Sequence, residues 1–558
     1  MVAGWAAANI AGGLIATLGT FTSRFGSGRP YLNRGAELAV VAVALAAAVT
    51  LGTWAAAVAW AGIITITVVA VVAVWLCNAL AVGPPGAYVF VVACAAGVGV
   101  SAAHLPPWQI GLLVLAGGAV AWLVQMAPAL AGYRKPERAA VDAAAGAVAA
   151  YADAYGTERE TQMRHAAATA LHRSWSVLVN YQPFTPARGS TLHRLRAANH
   201  ALHVLFTNII GGAATGDEAL RARQLGALQL DPGTVATRDD DRIPLGRPST
   251  TTQLVAALTP GSHVRHVMTR VAIGVPLAGA LAVLFGVGHP YWAMAAAVLV
   301  LHQGNDRHHT LRRGGQRLLG TWVGLLLAGA ILAVHPQGLW LALVLVLLQF
   351  TIELLVVRNY ALASVFITAA ALTISSGTHR VDIGDLLLSR GTDTLIGCAV
   401  GAAVYLAMAG YQETSRLPAA VAAVIDAVAE TCSVVARDDS MTTAARASRR
   451  DLQIAALALR EADDAARLGS AGHRGIATRM AATVAATEHV AYRTLAACWA
   501  TEHRGAERLF GDAPVTYPAR LHELADTVRT GAAPPAIDDA PAFMTAELTE
   551  LRSALQDS

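Results

Sequence analysis

Residues 289–329, "HPYWAMAAAVLVLHQGNDRHHTLRRGGQRLLGTWVGLLLAG", decide the architecture. They pass from one uncharged stretch, through a turn holding Arg307, Arg312, Arg313 and Arg317, into a second uncharged stretch. A bilayer core of ~30 Å takes about 20 apolar residues of helix to cross. An arginine-rich turn between two such runs reads as a loop on the cytoplasmic side. Working outward, uncharged runs fall at 1–21, 38–58, 60–82, 85–103 and 107–131. More follow at 266–288, 290–303, 318–335, 338–355, 359–376 and 391–410. The chain therefore reads as all-α and polytopic, with about five plus six spans.

Composition points the same way. Of 558 residues, 55% are hydrophobic and 14% charged, against about 25% charged in soluble domains. The charges concentrate in two segments. We expect a first transmembrane block at 1–132, a cytoplasmic helical domain at 133–262, a second transmembrane block at 263–411 and a C-terminal cytoplasmic helical domain at 412–558. The net charge of +4 is too mild to call for a nucleic-acid partner; the expected partner is the lipid bilayer. Cys77, Cys94, Cys398, Cys432 and Cys498 lie far apart with no CxxC spacing, so neither a metal site, a cofactor nor a disulfide framework is expected. Met1 leads straight into an uncharged run without a basic n-region, which argues against a cleaved signal peptide.

The two apolar blocks look like copies. "LNRGAE" (32–37) aligns with "LRRGGQ" (311–316), pairing Arg34 with Arg313 and Gly35 with Gly314. The later spans then match one for one, and 266–288 alone lacks a counterpart. Either a first helix is missing from this chain or its true start lies upstream. Basic loops at 23–34 and 305–317, placed inside, put both hydrophilic domains inside and Met1 outside. Repeated halves are common in secondary transporters, and duplication also builds scaffolds.

The hydrophilic segments read as helical bundles. Leu192, Leu195, Leu202, Leu205 and Ile209 form one helical stripe, with Arg194, Arg196 and His203 off it. Residues 231–251 read as a linker rich in Pro, Gly and Asp. Amphipathic helices follow at 413–437, 441–468 and 475–503, and "GAAPPAIDDAP" (531–541) breaks the chain before a last helix.

Catalytic signatures are absent. The single lysine, Lys135, stands in "YRKPER", which is no phosphate-binding loop. HExxH, paired CxxC and GxSxG are missing too, so the chain is not read as an enzyme. Work done on a solute must draw on an ion gradient, the membrane potential or a partner.

Three pieces of the second block carry a family likeness: Pro290, Tyr291, Trp292 and Ala293 with Arg317, Gly320, Thr321 and Gly324; Glu353, Arg358, Asn359 and Tyr360; and Arg390, Asp393 and Gly397. In these the sequence resembles the fusaric acid resistance (FUSC) or aromatic acid exporter family of integral membrane transporters. One departure is Ala369 after Thr368, where the family often has Pro. The resemblance implies export of small, often aromatic, organic acid anions across the inner membrane, in some relatives with an accessory envelope protein. Plant aluminium-activated malate transporters are similar in part, which keeps a passive anion channel open. A scaffold that conducts nothing and binds partners through its cytoplasmic bundles is the alternative from another class.

The residues carry two readings each. Arg317 and Arg390 could hold a carboxylate, with Thr321 beside the path, or could snorkel and pair with Asp393. Glu353 and Asp393 are candidate proton carriers; the plainer reading pairs Glu353 with Arg358. Tyr291 and Trp292 could stack an aromatic acid or anchor a span at the interface. His302, His308 and His309 could relay protons or simply sit near headgroups. Gly320/Gly324 and Gly397/Gly401 have the spacing that lets helices approach closely, within one block or between subunits of a homo-oligomer.

Overall fold

A computed structural model describes residues 10–557 except 84, 101–104, 183–185, 213–215, 233–248, 261, 303–306, 335, 356–357, 377–382, 409–415, 438–441, 505–516 and 537–539. All eleven apolar runs are helical: α1 Ile10–Gly19, α2 Tyr31–Ala55, α3 Ala59–Ala79, α4 Tyr88–Val100, α5 Pro107–Met126, then, after the first hydrophilic segment, α11 His263–Leu284, α12 Pro290–Leu301, α13 Arg307–Val334, α14 Leu339–Leu355, α15 Tyr360–Ser376 and α16 Ile383–Met408. The intervening helices are α6 Lys135–Ala154, α7 Glu160–Trp175, α8 Thr191–Ile210, α9 Glu218–Gly226 and α10 Thr250–Ala256. After α16 come α17 Arg416–Arg437, α18 Thr443–Leu468, α19 Ala471–Arg479, α20 Ala481–Arg504, α21 Tyr517–Thr530 and α22 Thr545–Gln556. No strand occurs among the described residues. The chain forms two compact units: 1–27, 32–131 and 248–410 in one, and 28–31, 132–247 and 411–558 in the other.

The first unit collects the apolar helices. Six of them are long and apolar enough to cross a membrane, and α4, α12, α14 and α15 are shorter. Their outward side chains are apolar too: Val40, Trp54, Ile64, Leu123, Leu326, Trp340 and Phe350 are all exposed. So continuous an apolar surface on a folded protein is a lipid-facing surface. The chain is an all-α, multi-pass membrane protein.

Three helices begin well before the apolar runs that marked them. α2 starts at Tyr31, α13 at Arg307 and α16 at Ile383, so Arg34 and Arg317, placed in loops by hydropathy, stand on helices. Arginine is among the better helix formers. Hydropathy registers the thickness of the bilayer, whereas the helix continues past it. The side chains of His308, His309 and Arg313 lie outside the described residues.

Close helix approach in this unit is made by glycine. A Cβ on Gly320 would come within 2.6 Å of the Ala361 carbonyl oxygen, and one on Gly324 within 2.6 Å of the Val365 carbonyl oxygen, which brings α13 onto α15. Gly397 meets the Ala293 carbonyl and Gly401 the Val300 side chain, bringing α16 onto α12. In the first block, Gly52 and Gly97 do this between α2 and α4, and Gly19 and Gly117 between α1 and α5. Both blocks thus have two glycine-mediated pairings, between helices in matching places along the chain. The centre is α12, whose residues from Ala293 through Leu301 are all buried; it touches α3, α4, α11, α13 and α16.

The second unit is a helical body with two cores. One is built on α6–α9, and Tyr492 of α20 belongs to it; the other is built on α17–α22. The predicted stripe on α8 is buried throughout. His203, expected off that stripe, is buried as well; α8 packs on α20 in addition to α6 and α7. α17 is apolar enough to pass for a span, but its Val421, Val424, Ile425 and Val428 fill the α17–α22 core. Ser249 caps α10 inside what reads as linker; 233–248 lie outside the described residues. All five cysteines are free and buried.

His203 makes acid stability measurable. Burial, partly offset by its hydrogen bond to the Asn199 carbonyl, pushes its imidazole down from 6.5 to about 4. Below pH 6.5 the unfolded chain takes a proton there that the folded chain refuses until about pH 4. Stability is therefore whole above 6.5 and falls as pH drops towards 4, by ~1.4 kcal/mol per unit and about 3 kcal/mol in all. Burial lowers His172 and His165 in the same direction. Thermal unfolding of the detergent-solubilised protein between pH 7.5 and 4.5 should show this loss, with a shallower slope in His203→Gln; equal slopes would refute it.

Candidate functional site

Several of the polar side chains buried in the first unit gather among α12, α13, α15 and α16, with α4 packed on α12 beside them. Arg317 of α13 is 5% exposed, Arg390 of α16 is 4% and Asp393 of α16 is 0%. Thr321, Ser364 and Thr368 are fully buried beside them. Helical spacing explains the clustering: Arg317 and Thr321 are four apart on α13, Ser364 and Thr368 four apart on α15, and Arg390 and Asp393 three apart on α16, so each pair shares a face.

The guanidinium carbon of Arg390 lies 3.3 Å from the centroid of the Trp292 ring. Such stacking leaves the edge of the fork free to donate, and its Nε and Nη1 are buried without an acceptor. Arg317 donates from Nη1 to the Ser364 hydroxyl at 3.4 Å, while its Nε has no acceptor. The two arginines are close enough for their charges to repel. Both oxygens of Asp393 are buried and accept no hydrogen bond, and the Thr321 hydroxyl also lacks a partner. Two guanidinium groups against one carboxylate leave the cluster with an excess of positive charge. Buried charge of this kind is costly in a membrane unless something answers it.

Aromatic rings border the cluster. Tyr291 sits 5.5 Å from Trp292 and 5.6 Å, edge-on, from His289, and His289 Nδ1 is 3.0 Å from the Ser389 hydroxyl. Tyr88 of α4 lies within electrostatic reach of both arginines and stacks on His302, ring centroids 6.0 Å apart. The cluster therefore lies on the seam between the first block, represented by Tyr88, and the second. A Cβ on Gly99 of α4 would be 3.0 Å from the Tyr291 hydroxyl, so that ring also lies against the first block.

Of the sequence candidates, Arg317, Thr321, Arg390, Asp393, Trp292 and Tyr291 fall in this one region. Gly320, Gly324, Gly397 and Gly401 sit on its helices and bring their backbones together. Glu353 lies elsewhere: it is half exposed and forms an ion pair with Arg24 of the first block, with Gln349 also bonded to it. Its partner is thus not Arg358. No group of three or more His, Cys, Asp or Glu able to hold a metal occurs among the described residues. Tyr88, Ser364 and His289 were not singled out by sequence. For Ser364 a signal existed, in Ser and Thr recurring every four or five residues along an otherwise apolar span; for Tyr88 there was none.

Residues 277–404 match the family described as fusaric acid resistance protein-like. All members of the cluster except Tyr88 fall within that stretch. The chain is 26% identical to the uncharacterized membrane protein YvaC of Bacillus subtilis (strain 168), over 92% of this chain and 85% of that protein. It is 32% identical to the uncharacterized protein slr1298 of Synechocystis over 140 residues, 25% of this chain and 18% of that one. No solved structure matches. The region that holds the buried arginine cluster is thus similar to the fusaric acid resistance protein-like family, and the likeness to the membrane protein YvaC runs nearly end to end, as fits a multi-pass membrane protein.

Proposed function

We propose that the protein carries small organic acid anions, aromatic carboxylates foremost, outward across the inner membrane along the seam between its two blocks. The observation that supports this most is the pair of buried arginines, whose unmet donors face no neutralising acid beyond Asp393 among the described residues. A carboxylate would accept from Arg390 and Arg317 in turn, with Thr321 donating alongside. The Trp292 and Tyr291 rings would give an aromatic acid a stacking surface. Of the two acids considered for proton coupling, Asp393 is the better placed, since it is buried in the cluster while Glu353 is engaged by Arg24. With the arginine-rich turns inside, both hydrophilic segments face the cytoplasm. An inside-negative potential then favours anion exit by ~2.3 kcal/mol per charge per 100 mV, so export needs no obligatory proton.

The test is flux from proteoliposomes loaded with a panel of aromatic and aliphatic carboxylates, with potential and pH gradient set separately. Saturable flux of an aromatic acid supports the carrier. Non-saturating flux that follows potential alone replaces the carrier with a channel. Folded protein that moves none of the acids overturns transport and leaves the scaffold.

A further inference from the structure

Contacts between helices set a register between the two apolar blocks. Leu325 lies twelve residues after Arg313, and Ala46 twelve after Arg34. A Cβ on Gly391 would stand 3.4 Å from the Leu325 side chain, and one on Gly111 3.6 Å from the Ala46 carbonyl oxygen. Six residues further along each of these helices, Gly397 meets the Ala293 carbonyl and Gly117 the Ala16 carbonyl. The contacts of α5 with α2 and α1 therefore repeat those of α16 with α13 and α12.

In that register the polar cluster of the second block falls on apolar residues of the first. Arg317 corresponds to Leu38, Thr321 to Ala42, Arg390 to Ile110 and Asp393 to Leu113. The rings follow suit, Trp292 corresponding to Ile15 and Tyr291 to Leu14. Leu38 and Ile110 are fully buried, and both lie in one apolar core with Ile15 and Val114. An anion brought there would shed its hydration and gain no donor in return. Hydrocarbon in place of a buried charge pair is often neutral or stabilising, which suits a part that holds its shape. The family match, residues 277–404, likewise falls on the second block alone.

We infer that each chain binds one anion, held by the second block, and that the first block is a copy whose own site has been packed shut. The first block then serves the site as a wall and lends it Tyr88. This rests on the transport reading above and adds a count to it. With a single site per chain, flux rises hyperbolically with substrate and shows no cooperativity within a chain; two equivalent half-sites would bind two anions.

Calorimetric titration of the full-length protein in detergent with benzoate, phenylacetate and 4-hydroxybenzoate should give one acid per chain for each that binds. Two per chain would overturn the single site and leave the carrier standing; no binding of any of the three would overturn the carrier and the count together. Two variants read the packing without a ligand. Arg317→Leu/Thr321→Ala/Arg390→Ile/Asp393→Leu writes the first block's residues into the second. It should stay monodisperse, melt no lower than wild type and bind none of the acids. Leu38→Arg/Ile110→Arg writes the arginines into the first block, and should give about tenfold less monodisperse protein, because the charges enter a filled apolar site within the membrane. Wild-type yield and melting temperature in that double variant, or failure of the fourfold one to fold, would overturn the inference.

Discussion

Arg390→Ala should nearly abolish anion flux from otherwise folded protein. Removing one member of a buried, charge-assisted contact costs about 2–5 kcal/mol, or between tens- and thousands-fold in the rate at limiting substrate. Arg390→Lys should recover only part of it. The ammonium keeps the charge but loses the planar fork and its stacking on Trp292. The risk in the alanine variant is Asp393, which would remain buried beside a deleted cation. Arg390→Gln/Asp393→Asn removes both charges and separates folding from transport: it should fold at least as well as wild type and still fail to carry. Arg317→Ala should lose flux as well, since the two arginines occupy one cluster. Wild-type flux from monodisperse Arg390→Ala would refute the proposed path.

The second large effect is on assembly. Gly397→Leu drives a side chain into the Ala293 carbonyl and the Ala296 methyl, and Gly320→Leu into the Ala361 carbonyl and Ser364. The obstacle in both cases is backbone, which cannot swing aside as a flexible side chain does. Overpacking a core costs about 1–3 kcal/mol and sometimes more, and here helices must separate. Both variants should give little monodisperse protein and a melting temperature lowered by several degrees. Gly315→Ala is the control, because a Cβ there meets nothing within 4 Å; it should raise helix stability by up to ~1 kcal/mol. Equal yield and melting temperature in all three would show that these contacts do not hold the helices of the second block together.

The spans were legible because length and lack of charge are what a bilayer selects, and the α8 stripe because periodicity marks a buried face. What escaped was whatever depends on a distant partner. Glu353 reads locally as a mate for Arg358, yet its cation is Arg24, 329 residues away in sequence. His203 lies off the apolar stripe of α8, yet the packing of distant helices on α8 buries it. The buried arginines of α13 and α16 could be picked out one at a time, but their gathering with Tyr88 across the two blocks could not, since no periodicity within one helix encodes a neighbour from the other block. Helix starts were missed for a different reason: α2, α13 and α16 run on through charged residues that hydropathy assigns to loops.

The burial of α12 on every side constrains the order in which this protein can be put together. Twelve residues of helix rise only ~18 Å, short of the ~30 Å that would hold the segment across lipid by itself. With no face left for lipid, it takes its position from α3, α4, α11, α13 and α16. Two of these belong to the first half of the chain and two are synthesised after α12 itself. The set of neighbours that buries it is complete only when α16 has been made. A helix at the centre of the second block is thus seated partly by the first, so the two halves share one packing unit in place of two self-sufficient ones.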